Sequence, residues 1–201
     1  MHDQATIAAY DRYAEAYDTE VIEFWQHFPA SFTDAFLAAL PGKQVLDLGS
    51  GSGRDALLLR DHGLAVTCLD ASAAMVAMTT RLGFTSYQAD FAHIPFTSAS
   101  FDGVWAYTSL LHIPAADMQR VLRTLHTLIR PGGALVLGMI EGDTAGMVER
   151  PSMPDAARYF HYYGREELRR LVEPAGFAFR SEQAYRPHSK TYLNQLYRRR
   201  P

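Results

Sequence analysis

The sequence predicts an α/β fold: a doubly wound, mostly parallel sheet with helices on both faces. Two observations lead there. Short strand patterns and amphipathic helical patterns alternate between residues 44 and 140, which is the signature of a sheet wrapped by helices. The stretch "VLDLGSGSGRDALLL", Val45 to Leu59, runs from a buried-strand pattern through three glycines into a helical pattern, placing a ligand-ready turn at the carboxyl end of the first strand.

The elements follow in order. From Ile7 the apolar residues Ile7, Tyr10, Ala14, Tyr17, Val21, Phe24 and Phe28 recur in steps of three and four, a helical stripe that Pro29 interrupts. Phe32, Phe36, Leu37 and Leu40 mark a second short helix, stopped by Pro41-Gly42. Residues 1–40 therefore read as a helical lead-in, 41–140 as the core and 141–201 as a closing segment of one domain. In the core, "QVLDL" (44–48) is a strand and 53–62 a helix with Gly63 behind it. "AVTCL" (65–69) is a strand, and Ser72 is placed to cap a helix that ends at Gly83. "FTSYQ" (84–88) and "FDGVWAY" (101–107) are strands, and 115–130 is a helix. Pro131-Gly132-Gly133 turns into the strand "ALVLGMI" (134–140). Residues 141–163 show no clear period. A helix at 165–173 stops near Pro174. Two strands, 177–185 and 190–198, suit a hairpin.

Bulk properties narrow the function. The chain has 201 residues, a net charge of −3 and a pI near 6.2. No basic footprint for nucleic acid is present, no apolar run is long enough for a membrane span, and no signal peptide is legible. One cysteine, Cys68 in an apolar run, fits a reducing compartment, and a cytoplasmic location is expected. The histidines form no metal-ligand spacing, so no metal site is expected.

Gly49, Gly51 and Gly53 permit positive φ and remove the Cβ, so that a ligand can lie against the main chain. The dinucleotide fingerprint G-x-G-x-x-G would need glycine at position 54, which is Arg54. No G-K-[ST] follows, which excludes a P-loop. The turn suits a nucleoside without a pyrophosphate. Asp70 ends the next strand, about 20 residues on, where a carboxylate accepts from ribose hydroxyls. Asp90, with Phe91, is placed to meet an adenine. Both aspartates also suit a cap or turn.

"VLDLGSGSGRDALLL", "LDAS", "QADF", "FDGVWAYTSLLHI" and "LIRPGGALVLG" are similar, in order and spacing, to the motifs of class I S-adenosylmethionine-dependent methyltransferases. The resemblance implies a Rossmann-like, seven-stranded sheet whose last strand is antiparallel, S-adenosylmethionine as cofactor and S-adenosylhomocysteine as product. It places Asp47, Gly49, Gly51 and Gly53 around the methionyl and ribose portion. Asp70 would hold the ribose, Ala71 and Met75 the adenosine, Asp90 and Phe91 the adenine, and Ala106 the methionyl group. Tyr10 and Tyr17 match a segment that folds over the cofactor in look-alike members, which equally suits an amphipathic helix packed on the core.

Methyl transfer from a sulfonium is an in-line displacement that needs alignment and exclusion of water. A base is needed only if the acceptor arrives protonated. His112, in "SLLHIP" after the fourth strand, is the candidate base, with Tyr107 beside it; a structural histidine is the alternative. In 147–163, Arg150 and Arg158 are candidates to pair with an anionic group, and Tyr162 and Tyr163, with Tyr159 and Phe160, to line an acceptor pocket. The expected partner is a small-molecule acceptor, with the chain a monomer or homodimer. The rival readings are a protein that holds the donor for regulation or assembly without transfer, a nicotinamide dehydrogenase, and aminopropyl transfer from the decarboxylated donor.

Overall fold

The computed structural model describes residues 3–150 and 152–201; Met1, His2 and Pro151 lie outside it. A seven-stranded sheet runs in the order β3-β2-β1-β4-β5-β9-β8. Its strands are β1 (Gln44–Leu48), β2 (Ala65–Asp70), β3 (Thr85–Gln88), β4 (Phe101–Tyr107), β5 (Ile129–Ile140), β8 (Phe177–Tyr185) and β9 (Tyr192–Arg199). The first five are parallel, and β9 lies antiparallel between β5 and β8. The chain winds outward from β1 to β3, then crosses back to β4 beside β1. Ligands bind at the carboxyl ends flanking such a reversal.

Alternation along the strands divides the core. Leu46, Leu48, Val104, Ala106, Leu135 and Leu137 face α6 (Ala115–Leu128) and α7 (Arg165–Val172), meeting Met118, Val121, Leu122, Leu125 and Leu168. Val45, Trp105, Tyr107, Ala134 and Val136 face the other layer, where α3 (Ala30–Ala39) contributes Phe32 and Phe36, and α4 (Arg54–Asp61) contributes Leu59. β1, β4 and β5 are buried on both faces, which explains their continuous apolar runs. α5 (Ala73–Arg81) is capped as expected: the Ser72 hydroxyl accepts from Met75 N at 3.2 Å.

Three expectations need correction. The first helical stripe is two helices, α1 (Gln4–Arg12) and α2 (Ala14–Gln26), broken at Tyr13, whose ψ of 24° leaves the helical range. In a straight helix, residues seven apart are separated by about 10 Å along the axis; the break lets the rings of Tyr10 and Tyr17 meet edge to face at 5.2 Å. β5 begins at Ile129, running through Pro131-Gly132-Gly133 past an irregularity opposite Phe101 and Gly103. The segment without a period holds a two-stranded arm, β6 (Ala145–Arg150) paired with β7 (Met153–His161). β6 alternates between exposed and half-buried residues, so neither of its faces is fully buried. α7 ends at Val172 and a short 3₁₀ turn, Glu173–Ala175, carries Pro174.

Candidate functional site

The turn after β1 is fixed by its backbone. Gly49 N and Ser50 N both donate to Leu69 O, at 2.7 and 3.1 Å. Gly49, Gly51 and Gly53 all have positive φ, between 49° and 89°, the region that favours glycine. A Cβ on Gly49 would also lie 2.3 Å from the Ser109 Cβ, so the turn from β1 and the turn from β4 touch there. Asp70 braces this turn: its Oδ2 accepts from Gly51 N and its Oδ1 from Ser72 N, each at 2.9 Å. An ionised carboxylate has about four acceptor positions, so Asp70 retains capacity for further donors. Burial raises its pKa, against the lowering effect of those amide bonds.

A cleft opens at this point. Gly49, Gly51, Asp70, Ala71, Ser72, Met75 and Phe91 line it from the sheet side, and Thr6, Ile7, Tyr10 and Tyr17 cover it. A second cavity adjoins it, lined by Val21, Phe24, Trp25, Leu111, Ile140, Phe160 and Tyr192 with Glu20, Arg150, Arg158 and His188. Tyr10, Tyr17, Thr108 and His112 line both. Thr108 is strained: its φ is 49°, an outlier for a β-branched residue, and its N–H donates to Gly138 O at 2.8 Å.

His112 is oriented from two sides. Its Nδ1 lies 2.6 Å from Tyr159 O and its Nε2 lies 2.8 Å from Tyr10 Oη. A carbonyl only accepts, so Nδ1 carries the proton and Nε2 accepts from the Tyr10 hydroxyl. Tyr10 Oη in turn accepts from Arg158 Nη1 at 2.9 Å. Burial raises the Tyr10 pKa, and Arg158 opposes that rise.

The roof is clamped to the body. Asp11 accepts from Ser72 Oγ at 2.6 Å and Ala74 N at 3.0 Å. Asp18 receives both Nε and Nη2 of Arg54, at 2.7 and 2.6 Å. Tyr159 N donates to Thr6 Oγ1 at 2.8 Å, and Tyr13 Oη to Pro154 O at 2.6 Å. Arg54, in the sequence only the residue that spoils a dinucleotide turn, is the body's anchor for α2. None of these partners was legible in the sequence, because each joins residues remote along the chain.

Of the residues singled out from the sequence, Tyr10, Tyr17, Gly49, Gly51, Asp70, Ala71, Met75, Phe91 and His112 meet around the first cleft, and Arg150 and Arg158 line the second. Others are placed differently. Tyr107 borders the first cleft, but its ring lies in the α3 layer and its hydroxyl donates to Asn194 Oδ1 at 2.7 Å; strand alternation turns it away from His112. Ala106 faces α6 and is fully buried. Asp47 lies one step below the turn on the α3 and α4 side, crowded against Asp55. Gly53 starts α4 and packs against Thr79 and Leu82. Asp90 folds its carboxylate back on Ala92 N at 2.8 Å. Tyr163 is buried and stacked on His161 at 4.2 Å, and Tyr162 packs on Gly142 and Phe160. Of the four aromatic residues expected there, Phe160 lines the second cavity, beside Tyr10, Tyr17, Phe24, Trp25 and Tyr192.

Residues 46–137 match the family model of a methyltransferase domain. Over that stretch, and in its fold, the chain is similar to S-adenosylmethionine-dependent methyltransferases. It is 35% identical over 147 residues to a malonyl-[acyl-carrier protein] O-methyltransferase of Enterobacter lignolyticus, covering 70% of this chain and 55% of that protein. The chain spans about half the length of the curated relatives it matches. In fold it is similar to 1,6-didemethyltoxoflavin-N1-methyltransferase of Burkholderia thailandensis, with a TM-score of 0.74 and 23% identity over 98% of this chain and 89% of that one. It is also similar to DhpI in complex with SAH, with a TM-score of 0.78 and 21% identity over 98% and 97% of the two chains. No helix among the described residues is long and apolar enough to cross a membrane. No group of three or more potential metal ligands occurs among them.

Proposed function

We propose that the chain transfers the methyl group of S-adenosylmethionine to a small-molecule acceptor and releases S-adenosylhomocysteine. The observation that carries this reading is the meeting of two cavities across Tyr10, Tyr17, Thr108 and His112. One has the glycine turn and carboxylate that a nucleoside needs; the other combines an aromatic and aliphatic wall with the charged side chains of Arg150 and Arg158. When bound, the donor supplies an electrophilic methyl on a sulfonium.

The residues fit that donor. Gly49 and Gly51 leave the space a Cβ would fill, and Asp70 has acceptor positions for ribose hydroxyls. Ala71, Met75 and Phe91 offer an apolar wall for the base. Tyr10 and Tyr17 bring ring faces to the seam, each worth about 0.5–2 kcal/mol toward a cation. The two cavities hold donor and acceptor on opposite sides of the seam, the alignment an in-line displacement requires.

Where the acceptor arrives protonated, Tyr10 Oη accepts its proton while passing its own to His112 Nε2. The Tyr159 carbonyl holds the imidazole in the tautomer that can receive it. A protein that only holds the donor would have its second cavity filled by Tyr107 or by residues 147–163. Neither fills it: Tyr107 is turned into the α3 layer, and Arg150, Arg158 and Phe160 form the wall.

The test is incubation with methyl-labelled donor and a metabolite extract, beside calorimetric titration with S-adenosylhomocysteine and with NAD. A labelled small product and preferential binding of S-adenosylhomocysteine are expected. Tighter binding of NAD overturns the reading, and binding without any labelled product favours the regulatory alternative.

A further inference from the structure

We propose that the second cavity takes an acidic acceptor, a small molecule whose carboxylate or phosphoryl oxygens lie against the guanidinium groups of Arg158 and Arg150. This rests on the reading of that cavity as the acceptor site. Arg158 is only 3% exposed and lines the cavity, yet none of the ion pairs among the described residues involves it. Its Nη1 donates to the Tyr10 hydroxyl, its Nε has no hydrogen-bond partner among the described residues, and neither does Nη2 of Arg150.

The two cations converge on one ring. The Arg150 guanidinium lies 4.7 Å and that of Arg158 5.3 Å from the Phe160 centroid, and Arg158 also lies 5.0 Å from that of Tyr10. Ring faces position a guanidinium and attract it, but they do not neutralise it. A buried, unpaired charge is strongly disfavoured unless a counter-charge arrives. Glu20 is the one carboxylate among the lining residues, and it is exposed at the rim. His188 lines the same wall. Lys190 feels the same field: burial first, then Arg150 and Arg158, lowers its pKa to about 8.

Arginine presents a planar fork that matches two oxygens of a carboxylate or phosphoryl group. Beyond it, Val21, Phe24, Trp25, Leu111, Ile140 and Tyr192 receive an apolar body. The acceptor class is therefore an apolar or aromatic acid rather than a neutral or cationic amine. Arg158 touches Tyr10 at the seam, so the acid would be fixed within one side chain of the methyl.

The test uses benzoate and phenylphosphonate as the two anions and benzamide as the uncharged control. Each is titrated into the protein saturated with S-adenosylhomocysteine, and Trp25 emission is followed. At least one anion is expected to bind about tenfold more tightly than benzamide. Arg158→Gln is expected to remove that preference, while Arg158→Lys, which keeps charge without the fork, retains part of it. Arg150→Gln is expected to weaken the anion several-fold with affinity for S-adenosylhomocysteine held within about twofold. Should Arg158→Gln fail to melt cooperatively, the lysine and Arg150 variants decide by the same criteria. Benzamide binding as tightly as both anions, or anion affinity unchanged in the folded variants, overturns the proposal. If S-adenosylhomocysteine itself does not bind, the methyl-transfer reading fails, and the same titrations without it decide the anion site alone.

Discussion

Asp70 has two tasks, bracing the glycine turn through two backbone amides and keeping acceptor positions open to the cleft. Asp70→Ala should weaken S-adenosylhomocysteine binding by about 1.5–3 kcal/mol for each charge-assisted bond lost. Asp70→Asn keeps the volume and should lose less. Calorimetry on both, with melting curves to confirm folding, checks this, and an unchanged dissociation constant would remove Asp70 from the ribose role. Asp55 behaves differently. Burial pushes its pKa up to about 7, and burial with Asp55 alongside raises Asp47 well above the usual carboxylate range. Between about pH 4 and 7 the folded chain holds a proton on Asp55 that the unfolded chain has released. Stability therefore falls as pH rises through that window, by up to about 1.4 kcal/mol per unit for that proton. Asp55→Asn should remove this share and also the part of the Asp47 shift that Asp55 causes, leaving the part due to burial. Urea midpoints at pH 5, 6 and 7 measure the difference in slope.

The helical roof is joined to the body by polar contacts as well as by its apolar stripe. The Asp18–Arg54 pair has two short bonds but is partly exposed, at 22% and 32% of the side-chain surface. Such a pair contributes about 1 kcal/mol or less to stability. Asp18→Asn should therefore leave the melting temperature nearly unchanged while releasing S-adenosylhomocysteine a few-fold faster, because opening the roof breaks this contact and global unfolding is governed by the core. Stopped-flow displacement monitored at Trp25 reads the rate. Raising the salt concentration should speed release from the wild type and have less effect on the variant.

At the scale of the whole molecule, the doubly wound sheet and the glycine turn were legible because each is written locally. The strands β1, β4 and β5 are buried on both faces and carry continuous apolar runs, and Gly49, Gly51 and Gly53 occupy consecutive alternate positions. The β6–β7 arm was not legible, since residues 145–150, AGMVER, alternate in exposure but not in hydropathy. The site was legible only on the side built from the motif turns. His112 and Tyr10 are 102 residues apart, and Tyr10 and Arg158 are 148 apart; spacing along the chain carries no trace of such contacts. Tyr107 was misjudged because its place at the end of β4 was read without the period of two that turns it to the far layer.

The position of β9 has a consequence for biosynthesis. β9 follows both β5 and β8 in the chain, yet it sits between them in the sheet. Until it emerges from the ribosome, β5 presents an unpaired apolar edge, a template for wrong partners. A nascent chain cut short near residue 190 should therefore accumulate in inclusion bodies, although it contains every residue of the nucleoside cleft. Recovery of that fragment as a monodisperse species would show that β5 is protected by something other than its final neighbour.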